Sequence, residues 1–318
     1  MNVAIVGCGA ILYLGHGPAL LRYREKHREV RLYACCDINR RAGLQAKERF
    51  GAEKFYDSLD QLLADPKVDC VILCLPTRGI TTAALKIIRR RIPVLIEKPP
   101  GNSVDEAVQL QRTLEKYQVY HEVALNRRSM PLVNQFKEML DGKRLRYLRL
   151  DMYRCRRQEP NFHETAIHGV DLLRYLADSD YLSLEAVYDR IPGVAAVNAY
   201  IRFTMKNGIY GDMAFCPMGG AVVERVAVDA ADTTGFLHLP VWGGHDTPGL
   251  AAVVCREEAR QIPGKEAEQC ISNGFYAQLE HFLQGAAGGK APKNPISSCI
   301  QVMQICAWLG ARGTKIDF

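Results

Sequence analysis

The stretch Val3-Ala4-Ile5-Val6-Gly7-Cys8-Gly9-Ala10 decides the fold. Four apolar residues read as a short buried strand, and two glycines one residue apart come directly after it. After a strand, this spacing builds a phosphate-binding turn. The first glycine permits the tight turn and the second lets the backbone approach a pyrophosphate. The amides opening the next helix then face the anion. A lone Gly-x-Gly after a strand is common, so the reading depends on its surroundings. Leu12 stands where a third glycine is usual. The run Gly15-His16-Gly17-Pro18 predicts a longer turn, with the helix starting near Pro18.

Outward from this turn the chain alternates. Strand-like runs at 30–36, 68–74, 93–96 and 120–125 are separated by helical stretches at 18–27, 40–50, 59–64, 81–90 and 104–117. Such alternation predicts a parallel, doubly wound sheet covered on both faces. Past Asn126 the pattern changes. Strand candidates at 145–154, 184–189, 195–203, 210–215, 222–229 and 235–239 are punctuated by turns such as Lys206-Asn207-Gly208. One helix spans 164–177, and two more cover 275–283 and 297–309. The expected architecture is an α/β Rossmann domain at 1–123, followed at 124–318 by an α+β domain with an open, mostly antiparallel sheet.

Of the 318 residues, 48% are hydrophobic and 24% charged, which suits two globular domains. The net charge of +6 is dispersed, which could help draw in an anionic nucleotide but is too weak to argue for nucleic acid, and no nucleic-acid partner is expected. Arg89-Arg90-Arg91 reads as a solvated helix end. Eleven cysteines suggest disulfides by number. By placement, with Cys35, Cys36, Cys70 and Cys74 inside apolar runs, they predict free thiols and a reducing, cytoplasmic setting. No zinc or haem spacing occurs and no apolar run reaches membrane length, so neither a metal nor a membrane is expected.

Site candidates lie at strand ends. Asp37, closing the second strand, is placed to accept ribose hydroxyls and to disfavour a 2′-phosphate; the alternative is a helix cap. Arg40 and Arg41 follow, and an arginine there suits NADP, so NAD is expected with NADP open. Leu75, Pro76 and Thr77 close the third strand on the ligand edge. Glu97-Lys98 closes the fourth. There Lys98 is suited to polarise a substrate oxygen with Glu97 placing it; the alternative is a surface ion pair. On the 164–177 helix, Glu164, His168, Asp171 and Tyr175 fall within roughly 60° of arc. Glu164 and Asp171 flank His168 as expected for a general base. A structural polar network is the alternative. Tyr153, Arg154, Arg156, Arg157 and His163 stand as further pocket candidates, against a solvated strand end.

These residues resemble the Gfo/Idh/MocA oxidoreductase family. The marks are Val6 to Ala10, Glu97-Lys98-Pro99, the 164–171 segment and Gly274-Phe275-Tyr276-Ala277-Gln278. The resemblance implies catalytic Lys98 and His168. Glu164 stands where many members carry Asp, and Ala166 replaces a frequent Gly. Asn126 and Arg127 match an Asn-Arg pair near the substrate, and the Lys98–Pro99 peptide is expected to be cis. The implied cofactor contacts are Gly7, Cys8, Gly9, Ala10, Ile11, Asp37, Arg41, Leu75, Pro76, Thr77, Glu97 and Lys98. The implied substrate contacts are Lys98, Asn126, Arg127, Glu164 and His168. The expected reaction is hydride transfer between nicotinamide and a secondary alcohol of a sugar or cyclic polyol. A homodimer or homotetramer through the second sheet is implied. Two alternatives remain: a lyase or glycosidase that retains its NAD and oxidises transiently, and a non-catalytic nucleotide-binding regulator.

Overall fold

The computed structural model describes residues 1–158, 163–265 and 268–318, and at position 163 the backbone alone. Six strands form the first sheet: β1 (Asn2–Val6), β2 (Arg31–Cys36), β3 (Lys54–Tyr56), β4 (Cys70–Leu73), β5 (Val94–Ile96) and β6 (His121–Val123). They lie in the order β3-β2-β1-β4-β5-β6, and every pair is parallel. This is the doubly wound order that reverses beside β1, where ligands sit outside the carboxyl ends of the strands. The central strands β1, β2, β4 and β5 are short and mostly apolar because helices cover both faces. Val71 and Leu73 face Ile80, Ile87 and Leu110 in one continuous core. The brief strand β3 escapes a periodicity reading, since three residues carry no alternation.

The second sheet has nine strands. They are β7 (Leu145–Tyr153), β8 (Tyr181–Arg190), β9 (Val197–Met205), β10 (Tyr210–Cys216), β11 (Val223–Ala230), β12 (Thr233–His238), β13 (Leu250–Cys255), β14 (Glu258–Pro263) and β15 (Lys315–Asp317). Their order is β14-β13-β12-β11-β7-β10-β9-β8-β15, antiparallel except for β7 beside β10. The helix α1 (His163–Ala177) packs along β7. Sequence reading misses β13, β14 and β15, and also the helix at Pro131–Met139. The strand β14 is exposed except at the half-buried Ile262, so it has no buried face to give a period-two signal.

Contacts divide the chain into two compact units. One holds residues 1–126 and 269–300, the other 127–268 and 301–318. The segment 269–300 therefore belongs with the first sheet. There, Val123 donates its amide to the Asn294 carbonyl at 2.8 Å, and Ile296 and Cys299 complete the core.

The expected long turn after Gly9 is absent. Helix begins at Ala10 and passes through a π-helical stretch, Leu12–His16, into the α-helix Gly17–Lys26. Leu12 is fully buried, so a side chain sits comfortably where the usual glycine was missing. Close approach is shifted instead to Gly15 and Gly17. A Cβ on Gly15 would meet the Phe275 ring at 2.5 Å, and one on Gly17 would meet the Phe50 ring at 2.4 Å and the Leu12 carbonyl oxygen at 2.8 Å. The extra residue of a π turn rotates the succeeding helix and lets these glycines face the neighbouring rings. Replacing Gly17 with Val should overpack this contact. Chemical denaturation should show a loss of about 1–3 kcal/mol, whereas Gly51→Ala, at a position open to solvent, should leave the π segment undisturbed.

Candidate active site

Within the first unit, every strand-end residue singled out from the sequence gathers at one edge of the sheet. Gly7 takes a φ of 94°, and its amide donates to the Cys36 carbonyl at 2.9 Å. A Cβ there would lie 2.5 Å from the Cys74 carbonyl oxygen, so only glycine fits between the neighbouring strands. Gly9 is the opposite case. Nothing lies within 4 Å of where its Cβ would be. Gly9 and Ala10 are exposed, and Ile11 is half-exposed, at the start of the helix. A constrained first glycine and an open second one fit a bound pyrophosphate, because backbone amides there can approach an anion unobstructed.

Asp37 is tied into this turn. One carboxylate oxygen accepts from the Cys8 amide at 2.7 Å and the other from the Asn39 amide at 2.7 Å. The helix cap is Asn39, whose side chain accepts from the Ala42 amide at 3.2 Å, so the capping alternative for Asp37 falls. Arg41 is exposed in the first turn of that helix, Arg40–Phe50, and Arg40 leans toward Asp57 at 3.4 Å. Leu75, Pro76 and Thr77 lead into the helix Thr77–Arg89 and are only partly covered.

Glu97 is 7% exposed. Its carboxylate accepts the Lys98 amide at 3.0 Å through one oxygen and meets His16 Nε2 at 2.6 Å through the other. The surface ion pair considered for Glu97-Lys98 is therefore not what forms at Glu97. Lys98 itself is half-exposed, and the Lys98–Pro99 peptide is cis, as the resemblance implied. His16 escaped the sequence reading. It carries no motif of its own, and only the π stretch turns it toward the strand end.

Within the second unit, the polar stripe of α1 divides in two. Asp171 is 1% exposed and forms a two-pronged ion pair with Arg128, with one bond at 2.8 Å. Tyr175 donates to Asn134 Oδ1 at 2.6 Å, and the Lys137 ammonium lies 4.2 Å from its ring centre. This lower half is a structural network. The upper half, Glu164 and His168, is half-exposed. The expected carboxylate pair flanking His168 is thus altered on one side, because Asp171 is committed to Arg128.

Asn126 and Arg127 are both buried, and each is held within its own unit. Asn126 donates to the Asn273 carbonyl at 2.8 Å. Arg127 makes two bonds to Glu224, at 2.7 and 3.1 Å, and Arg154 bonds the same carboxylate. Arg154 thus leaves the group of pocket candidates for a buried triad. Arg157 reaches Thr165 Oγ1 at 3.2 Å, while the His163 side chain lies outside the described residues. Burial alone would raise the Glu224 carboxyl, but the two guanidiniums outweigh it and hold it at about 2.

All eleven cysteines are free thiols. Among the described residues, no group of three or more His, Cys, Asp or Glu is placed to hold a metal, and no helix is long and apolar enough to cross a membrane.

Residues 1–125 match the family described as "Oxidoreductase family, NAD-binding Rossmann fold", GFO_IDH_MocA. In residues 1–125 the chain is similar to the Gfo/Idh/MocA oxidoreductases. It is 23% identical over 261 residues to the rhizopine catabolism protein MocA of Rhizobium meliloti, covering 77% of this chain and 75% of that protein. To the inositol 2-dehydrogenase of Rubrobacter xylanophilus it is 27% identical over 289 residues, covering 83% and 78%. In fold it matches the crystal structure of an oxidoreductase domain protein from Kribbella flavida. The TM-score is 0.84 at 17% identity, covering 100% of this chain and 98% of that one. The matched residues are those of the NAD-binding Rossmann fold.

The triad at Glu224 gives a stability prediction. The carboxyl is depressed below its ordinary 4.5, so its contribution is complete above that pH and is lost as pH falls toward 2. Glu224→Gln leaves two buried guanidiniums uncompensated and should cost about 3–5 kcal/mol. Urea titrations should show the variant losing less stability than the parent between pH 5 and pH 3, since it lacks this proton uptake.

Proposed function

We propose that the chain moves a hydride between a nicotinamide cofactor and a secondary alcohol of a sugar, cyclic polyol or sugar derivative. The observation that carries this reading is an amine-bearing residue, Lys98, at the same sheet edge as an open phosphate-binding turn. In this reading residues 1–123 bind the dinucleotide, with Gly7, Cys8, Gly9, Ala10 and Ile11 facing the pyrophosphate. Asp37, with two amides already on its carboxylate, uses its remaining lone pairs for the ribose hydroxyls and favours NAD over NADP. Arg41, Leu75, Pro76 and Thr77 complete the walls.

When bound, the nicotinamide ring supplies the carbon that accepts or returns the hydride. His168 takes the hydroxyl proton during oxidation, and Glu164, one turn earlier, orients the ring. Lys98 donates a hydrogen bond to the same substrate oxygen and stabilises charge as the carbonyl forms. Asn126 and Arg127 position the chain where it passes from one unit to the next, because their side chains are held by Asn273 and Glu224. Residues 124–318 hold the substrate. The substrate class draws support from relatives named inositol 2-dehydrogenase and MocA. A homodimer or homotetramer through the second sheet is supported by exposed apolar residues on it, Val187 and Tyr200, which pair across β8 and β9. The proposed setting is the cytoplasm.

A screen of sugars, inositols and uronates with NAD and NADP tests the reading through cofactor reduction. Lys98→Met and His168→Asn should each lower kcat by about 100-fold or more while NADH affinity is kept. Normal turnover by Lys98→Met would overturn the assignment. Retained NAD with no net NADH would point to the redox-neutral lyase or glycosidase. Asp37→Asn should weaken NAD binding by about tenfold, measured by fluorescence titration.

A further inference from the structure

The buried pair between His16 and Glu97 belongs to no part of the proposed reaction, yet it lies directly against the Lys98 backbone. His16 is 1% exposed and Glu97 7% exposed. A carboxylate only accepts hydrogen bonds, so the proton in the 2.6 Å contact sits on His16 Nε2. The other ring nitrogen, Nδ1, is buried with no hydrogen-bond partner. The ring is therefore held by one polar contact and by the edge of Phe275, whose centroid lies 5.1 Å away at 87°. A histidine kept only to fill space would be replaced by an apolar residue at such a position, since burying an imidazole without partners is unfavourable. What requires it is the carboxylate. Burial, and after it the Glu97 charge, push the Cys74 thiol up.

We propose that His16 is a positioning residue for the Glu97-Lys98 step. It donates to one Glu97 oxygen and so fixes the rotamer in which the other oxygen receives the Lys98 amide at 3.0 Å. The π-helical stretch Leu12–His16 and the glycine packed on Phe275 are the means by which His16 reaches that oxygen. The arrangement links the cofactor turn to the polarising lysine through one helix. The inference rests on the proposed role of Lys98, and it requires that loss of His16 disturb chemistry rather than cofactor affinity.

The test uses the full chain with His16→Phe, His16→Gln, Glu97→Gln and the double variant H16F/E97Q. The amide nitrogen of glutamine reaches about as far as Nε2, so H16Q should rescue. His16→Asn fits the space but falls short, and it stands in for H16F if the phenylalanine does not fold. Expected for H16F is a kcat loss of about tenfold or more, with NADH affinity within about threefold of the parent. H16F/E97Q should be no worse than E97Q alone, because both act through one contact. A second readout needs no turnover: the rate at which an amine-directed reagent labels Lys98, followed by peptide mass spectrometry, should change in H16F and return in H16Q. Additive losses in the double variant, no rescue by H16Q, or a lowered Tm with unchanged kcat and labelling would overturn the proposal. If the parent reduces no cofactor on any substrate, the role given to Lys98 fails, and the labelling rates still decide whether His16 positions it.

Discussion

The close passage of Gly7 over the Cys74 carbonyl is the constraint on which the rest of the first unit depends. The chain must leave β1 between β2 and β4, and the space left for a Cβ there is only 2.5 Å from a backbone oxygen. Glycine resolves this with a φ of 94°. That turn sends the helix away at the one place where the sheet order reverses, and it leaves Gly9 open beside it. The open amides, the Asp37 bond to Cys8 and the Glu97-Lys98 step all gather at this edge because parallel strands end there together.

Buried charge organises both units, and the buried carboxylates Glu97, Asp171 and Glu224 all have donors. Glu97 has His16 and the Lys98 amide; Asp171 has Arg128; Glu224 has Arg127 and Arg154. Removing one member of such a set leaves an uncompensated charge in a poorly polarisable interior, so each set behaves as a unit. The consequence for function is pre-organisation. Groups that must meet a substrate in one geometry are best carried on backbone whose own polar partners leave it no alternative rotamer. Segment 269–300 adds to this in the first unit. Asn273 receives Asn126, and Glu122, fully buried on β6, accepts from Tyr120 at 2.8 Å and contacts His281 at 2.5 Å.

Much of the site is legible in the sequence because its residues sit at the ends of apolar runs. A run of four to seven apolar residues locates a buried strand, and the next polar residue then lies at the carboxyl edge of the sheet. Asp37, Thr77 and Lys98 are found in that way. The α1 stripe shows where this reasoning stops. Angular spacing correctly puts Glu164, His168, Asp171 and Tyr175 on one face, but a face is not a site. Arg128, from a distant part of the chain, claims Asp171, and Asn134 claims Tyr175. The partners come from loops and from a helix whose short pattern gives no usable signal.

By itself the sequence determined the alternating strands and helices, the parallel first sheet, the open second sheet and the glycine turn. Those arise from local periodicity and from the unique backbone freedom of glycine. The tertiary structure alone decided which partners the buried polar residues take. It showed that helix begins at once after Gly9 and that His16 reaches Glu97. It also showed that Arg127 is held by Glu224 and that residues 269–300 return to the first sheet. The physical reason is that periodicity is set by neighbours along the chain, whereas a hydrogen bond to a buried charge is set by whichever donor the fold brings within reach.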